Sequence, residues 1–142
     1  MSEVKKHKTY IQTRFGDFDM LGHVNNARYL SYMEVARIDF FNVVIGGEVD
    51  WKKEGIILAK AEIDFLKPVL INHELYVNTY ISRFGTKSFD IEYDFLIEEE
   101  EKSQIVAKGK TVMVSFDFTK GQSISVPEWW IKKVNNFQEA TN

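Results

Sequence analysis

The sequence reads as an α+β domain in which an antiparallel sheet wraps around one long central helix, with a short C-terminal helix. Three observations lead there. One long segment of helical period, residues 26–41, comes early and is apolar over most of its circumference, as a buried helix must be. From residue 56 to 117 the hydrophobic residues instead recur with period two. The chain has 142 residues and no Pro/Gly/Ser-rich linker or internal repeat, which fits one domain spanning 1–142.

Taken in order, residues 7–15 alternate as a first strand, and the polar, glycine-containing stretch Gly16–Asn25 is a loop. Asn25 is a suitable N-cap for the helix, because its side-chain oxygen can accept a free N–H of the first turn. At about 100° per residue, Arg28, Ser31, Asp39 and Asn42 form one narrow polar stripe, while Tyr29, Leu30, Met33, Ala36, Phe40 and Phe41 cover a wide arc. Arg37 falls inside that arc, and a buried guanidinium needs a partner; Glu34, one turn earlier, is the nearest candidate.

The strands follow. Ala59, Ala61, Ile63 and Phe65 share one face, as do Leu75, Val77, Thr79 and Ile81, then Phe89, Ile91, Tyr93, Phe95 and Ile97. Polar residues on the opposite faces mark an antiparallel sheet covered on one side. Residues 88–98 and 104–116 should form a hairpin around Glu99–Ser103. A register centred near Glu101 sets Asp94 against Lys108 and Glu92 against Lys110 outside, Phe95 against Ala107 and Tyr93 against Gly109 inside. Ser125–Glu128 is a capping box containing Pro127, so a short last helix should follow. About 1–6 and 138–142 are expected to be loose.

Composition narrows the function. There are no cysteines, which excludes disulfides, thiolate nucleophiles and Cys-bound metals and is compatible with a reducing compartment. The net charge of −3 argues against nucleic acid as a partner, although a local basic pocket for one phosphorylated ligand remains open. The N-terminus has no apolar signal region, and no apolar run approaches the roughly 18 residues that would span a bilayer. A soluble cytoplasmic protein with no membrane partner is the expectation. Three dispersed histidines give no metal-ligand cluster, and G-x-G-x-x-G is absent, so neither a metal nor another cofactor is expected.

The segment that carries chemistry runs from Thr13 to Tyr29, a loop leading straight into the N-terminus of the long helix. It holds two carboxylates, Asp17 and Asp19, the imidazole of His23, and the free N–H groups of the first helical turn. Such N–H groups favour negative charge, so a developing oxyanion can sit there while a carboxylate acts on the same centre. That layout suits acyl transfer. Asp and Gly are also ordinary turn residues.

Asp17-Phe-Asp19-Met-Leu-Gly22-His23-Val-Asn25-Asn26-Ala-x-Tyr29, followed by Glu34-x-Ala36-Arg37, resembles the 4-hydroxybenzoyl-CoA thioesterase-like hotdog family. The resemblance continues through Phe65-Leu-Lys67-Pro68, Lys87-Ser88-Phe89 and Val114-Ser-Phe116-Asp117 to Val126-Pro127. It implies a hotdog fold, assembly as homodimers and often homotetramers, and hydrolysis of an acyl-CoA or acyl-carrier-protein thioester to acid and thiol. By the same resemblance Asp19 is the catalytic carboxylate, as nucleophile or general base, and Asp17 supports the loop. The backbone N–H of Asn26 polarises the thioester carbonyl, and Lys87 holds CoA phosphates. Arg83 is a neighbouring basic residue without an equally firm match, and Tyr29 either lines an acyl tunnel or fills the core. His23 matches the His of the plant acyl-carrier-protein thioesterases, but Leu21 stands where their pattern has Asn, so His23 either assists chemistry or holds the loop. Two other readings are a non-catalytic binder of acyl thioesters and an enoyl-thioester hydratase; the hydratase pattern fails at Asp19 and Met20, and its His arrives one residue late.

Overall fold

A computed structural model of the chain describes residues 3–139. Strand β1 (His7–Ile11) leads through a short 3-10 turn (Phe15–Asp17) to helix α1 (Arg28–Phe40), which continues as one π-turn (Phe41–Ile45). Then come β2 (Gly55–Phe65), β3 (Glu74–Phe84), β4 (Ser88–Glu99), β5 (Lys102–Asp117), the two-residue β6 (Gln122–Ser123) and helix α2 (Glu128–Glu139). The strands form one antiparallel sheet in the order β1-β3-β4-β5-β2, with β6 on β5, and α1 lies against its concave face. This is the hotdog fold expected from the sequence.

The core is the contact between α1 and the middle of the sheet. Tyr29, Met33, Ala36 and Phe40 are at most 2% exposed, and so are Leu75, Val77, Ile91, Tyr93 and Phe95 beneath them. Gly109 marks a close approach: a Cβ there would lie 2.5 Å from Met33 Sδ. Residues of this type bury roughly 1.5–3 kcal/mol each, so the helix is held chiefly by its apolar face.

The β4–β5 hairpin keeps the inner register read from the sequence: Glu92 faces Lys110, Tyr93 Gly109, Asp94 Lys108 and Phe95 Ala107. Its tip is tighter than the expected five-residue connection. Glu99 pairs with Lys102, leaving only Glu100 and Glu101, both with positive φ (50° and 64°) as in a type I′ turn. A bulge beyond Phe95 absorbs the difference, since Leu96 faces Ile105.

Other expectations change. The first strand ends at Ile11, and α1 begins at Arg28. Asn25 does cap the approach to the helix, its Oδ1 accepting the N–H of Ala27 at 3.0 Å. Arg37 is buried but does not pair with Glu34. Its Nη1 donates to the Tyr93 hydroxyl at 3.1 Å, and Tyr93 in turn meets Thr111 Oγ1 at 2.7 Å. The β2 face that alternation marked as covered is largely open, because β2 is the last strand of the sheet and lies beyond the helix; Phe65 is 46% exposed.

Helix α2 starts where the proline-containing box placed it, but no hydrogen bond from the Ser125 side chain is present among the described residues. Instead the Pro127 carbonyl accepts the N–H groups of Trp130 and Ile131. Trp130 packs with Phe41, Trp51 and Phe89 at ring separations of 5.4–6.2 Å. Near the chain end, Gln138 is fixed rather than loose: it bonds both the N–H (2.7 Å) and the C=O (3.0 Å) of Ile81, and its carbonyl accepts the N–H of Lys5. Residues 1–2 and 140–142 of the expected loose ends lie outside the described residues. No helix among the described residues is long and apolar enough to cross a membrane.

Candidate active site

The loop between β1 and α1 is built around two carboxylates with opposite surroundings. Asp17 is buried. Its Oδ2 accepts the hydroxyl of Tyr32 at 2.7 Å and the N–H of Arg14 at 3.1 Å, and Arg28 Nε lies 3.6 Å from Oδ1. Burial alone would raise its pKa, but the Tyr32 and Arg14 hydrogen bonds and the charges of Arg28 and Arg14 outweigh it and hold Asp17 below the usual carboxylate range. Burial, then the bond to Asp17, pushes the Tyr32 phenol up.

Asp19 is exposed at the mouth of a small hairpin. Phe18 is bridged to Val24, the N–H of Asp19 donates to the His23 carbonyl at 2.9 Å, and the N–H of Gly22 returns to the Asp19 carbonyl at 3.0 Å. Gly22 closes this loop at φ +80°, a conformation that other residues reach only with strain. Within it Asp19 Oδ1 accepts the N–H of Leu21 (2.9 Å) and that of His23 (3.4 Å), which fixes the carboxylate. Oδ2 accepts no hydrogen bond from the described residues.

Past the hairpin the chain enters α1. Asn25 donates its N–H to the Asp17 carbonyl, Ala27 to Asn25 Oδ1, Arg28 to the Asn25 carbonyl and Tyr29 to the Asn26 carbonyl. The N–H of Asn26 alone in this run has no acceptor among the described residues. The loop is held from the other side by residues 66–73: Val24 donates to the Val69 carbonyl at 2.9 Å, and His23 is bridged to Leu70.

Between these two loops lies a cavity of about 430 Å³ lined by Asp19, Leu21, His23, Asn26, Tyr29 and Phe65, with Leu66, Lys67 and Pro68 as its further wall. His23 is among the lining residues; its imidazole makes no hydrogen bond to the described residues, and its contacts to the loop run through its backbone N–H and carbonyl. Tyr29 is among the lining residues but is only 2% exposed, and its ring packs edge-on against Phe65 and Phe95 at 5.0 and 5.2 Å. Lys67, which stands in the Phe65-Leu-Lys67-Pro68 block of the motif but was given no role by it, is a cation in the cleft.

Two expected residues stand elsewhere on the chain. Lys87 follows the far end of β3, whereas the cleft lies beside its beginning, and eleven extended residues span roughly 35 Å. Arg83 is at that far end too, and is committed: Nε and Nη2 bond Asp90 at 3.1 and 3.0 Å, and Nη2 also bonds Ser88. Within one chain, then, Asp19, His23, Asn26 and Tyr29 come together, and Lys87 and Arg83 do not join them. No group of three or more His, Cys, Asp or Glu side chains among the described residues is placed to hold a metal.

The family model of the thioesterase-like superfamily matches residues 13–134. The chain belongs to that superfamily. As a member it is a thioester hydrolase. It is similar to a thioesterase from Thermus thermophilus, solved in complex with coenzyme A and zinc: 31% identical, with 100% of both chains covered and a TM-score of 0.80. It is 24% identical to the long-chain acyl-CoA thioesterase FadM of Escherichia coli (strain K12), over 84% of this chain and 89% of the relative. A 4-hydroxybenzoyl-CoA thioesterase mutant solved with 4-hydroxybenzoyl-CoA shares the fold, with a TM-score of 0.82 at 18% identity over 92% of this chain and 99% of that one.

Proposed function

We propose that this thioesterase hydrolyses acyl-CoA in the Asp19 cleft. The observation that carries the reading is the N–H of Asn26, two residues before α1, which has no acceptor among the described residues and lies in the same cleft as a carboxylate with one oxygen that accepts no hydrogen bond from them. Polarised by that N–H, the thioester carbonyl carbon is open to attack by Asp19 itself, giving a mixed anhydride that water then cleaves, or by a water that Asp19 deprotonates. Either way the carbonyl oxygen becomes an oxyanion facing the N–H and the positive end of α1. A donor placed there is commonly worth about 3–4 kcal/mol in the transition state. The tetrahedral intermediate collapses by breaking the C–S bond, and the thiolate leaves and takes up a proton. His23 borders the same space and would serve to relay that proton. The T. thermophilus complex and the name of FadM favour CoA as the thiol carrier.

The working unit we propose is a homodimer. β2 ends the sheet with an unpaired edge and is open on both faces, and Ile57, Leu58 and Phe65 are 38–46% exposed along it. Leu30 and Ile38 of α1 are exposed beside it, and Arg37 has no carboxylate partner among the described residues. Open edges of this kind invite pairing, and a second copy laid along β2 would cover the cleft rim and bring Lys87 of one chain within reach of another chain's site.

The test is thiol release from a panel of acyl-CoAs, short to long and aliphatic to aromatic, alongside light scattering at low micromolar concentration. Free CoA from at least one substrate and a mass of twice 16.6 kDa or more are expected. Tight binding of acyl-CoA without release would make the protein a binder. A fully active monomer would remove the shared site.

A further inference from the structure

Behind the cleft wall formed by Leu66, Lys67 and Pro68, the same 66–73 loop carries an imidazole that the chemistry above does not use. His73 precedes β3, with its side chain 10% exposed. Its backbone N–H donates to the Leu70 carbonyl at 3.1 Å, and its Nδ1 accepts the N–H of Leu70 at 2.9 Å. The residue therefore closes the 70–73 turn from both sides. An imidazole that accepts at Nδ1 carries its proton on Nε2. That nitrogen lies 2.5 Å from Glu99 Oε1 at the end of β4, so the turn is tied to the sheet.

The same turn supports the catalytic loop. Leu70 is bridged to His23, and the preceding carbonyl of Val69 accepts the N–H of Val24. His23 in turn accepts the N–H of Asp19 through its carbonyl and directs its own N–H at Asp19 Oδ1. An unbroken run of contacts thus leads from Glu99 through His73, Leu70 and His23 to the carboxylate in the cleft. We infer that His73 is a positioning residue: by clasping Leu70 and anchoring on Glu99 it sets where Asp19 stands relative to the N–H of Asn26. The inference rests on the thioesterase reading of the cleft. It matters because a displacement of about 1 Å at a reacting group can cost on the order of 100-fold in rate.

Three substitutions separate positioning from simple packing. In His73→Asn the short amide oxygen can replace Nδ1 as acceptor for Leu70, at the loss of Glu99. In His73→Gln the longer amide keeps the contact with Glu99 and loses that with Leu70. His73→Leu loses both. We expect His73→Leu to lower kcat for acyl-CoA hydrolysis about 10- to 100-fold with little change in KM, and His73→Asn to recover most of it. If His73→Leu fails to fold, His73→Gln takes its place in the comparison. Wild-type kcat without the Leu70 acceptor, or equal damage in the folded Asn variant, would overturn the assignment. A second readout needs no substrate: amide hydrogen exchange at Leu70 and Val24 should accelerate in the Leu or Gln variant and stay near wild type in the Asn variant. Unchanged protection would overturn the clasp. An enzyme that releases no thiol but shows the exchange pattern would sink the proposed activity and leave the clasp standing.

Discussion

The two ends of the sheet are built on opposite principles. At the end where α2 packs, bulky groups close on one another: Trp130 sits among Phe41, Trp51 and Phe89, Gln138 satisfies both backbone groups of Ile81, and Arg83 is forked onto Asp90. At the end where α1 begins, an N–H and a carboxylate oxygen beside an open cavity have no partner among the described residues, and apolar residues such as Met20 and Leu21 stand in solvent, at 101% and 78% exposed. The first end is built for stability, and the second is where the proposed chemistry would take place. The closed end owes its stability to ring packing rather than to complete hydrogen bonding, because the indole N–H of Trp130 is buried without a partner among the described residues.

The largest expected effect falls on the closed end. Trp130→Ala removes a fully buried ring and should cost about 3–5 kcal/mol of unfolding free energy, read by urea titration. Activity per folded molecule should be close to wild type. A large loss of kcat in that variant would mean that the two ends are not separable.

Next is Asp19→Asn, which should leave the urea midpoint unchanged and lower kcat for thioester hydrolysis at least about 100-fold, the scale of losing a general base. Near-native turnover with an inactive Asp17→Asn would exchange the roles of the two carboxylates.

Asp17→Asn should act chiefly on stability, by roughly 1–2 kcal/mol at neutral pH, because a charge-assisted bond to Tyr32 becomes a neutral one. The pH dependence sharpens this. The pKa of Asp17 is lower in the folded protein than in the unfolded chain, so its contribution is present above about pH 4 and fades as pH falls through the depressed value. The gap between wild type and variant should therefore close in acid. A gap independent of pH would point to packing instead.

The smallest effect should come from Lys87→Ala, which leaves kcat nearly unchanged and raises KM for acyl-CoA, with no change for a pantetheine thioester lacking the nucleotide phosphates. Because Lys87 stands at the far end of its own chain, a KM effect would argue that one chain's closed end serves another chain's open end. Equal KM on both substrates, or none affected, would return Lys87 to the surface.

Alternation and charge pairing were enough to register β4 against β5 near Tyr93 and Asp94, since each side chain there has one sensible partner. The bulge beyond Phe95 left no trace in composition, because hydrophobic residues flank it on both strands. Equal periodicity made β2 look as covered as β3; only the strand order reveals that it lies outside the helix. Motif order brought Asp19, His23 and Asn26 to one cleft, since all three sit within eight residues. Lys87 could not be placed by motif, and the partner of Arg37 lies 56 residues away in Tyr93, beyond any local pattern. That the Asn26 N–H has no acceptor among the described residues is a property of backbone geometry alone.

The pairing of β2 with β5 also orders events in time. As the chain is synthesised, β2 emerges before its partner exists, and β5 is complete only roughly fifty residues later, which at about 5–20 residues per second is several seconds. During that wait Gly55-Ile56-Ile57-Leu58-Ala59 is an apolar segment with no strand beside it. Lys60, Glu62 and Asp64 on the same strand are the charges that stand between it and premature association with a neighbouring nascent chain.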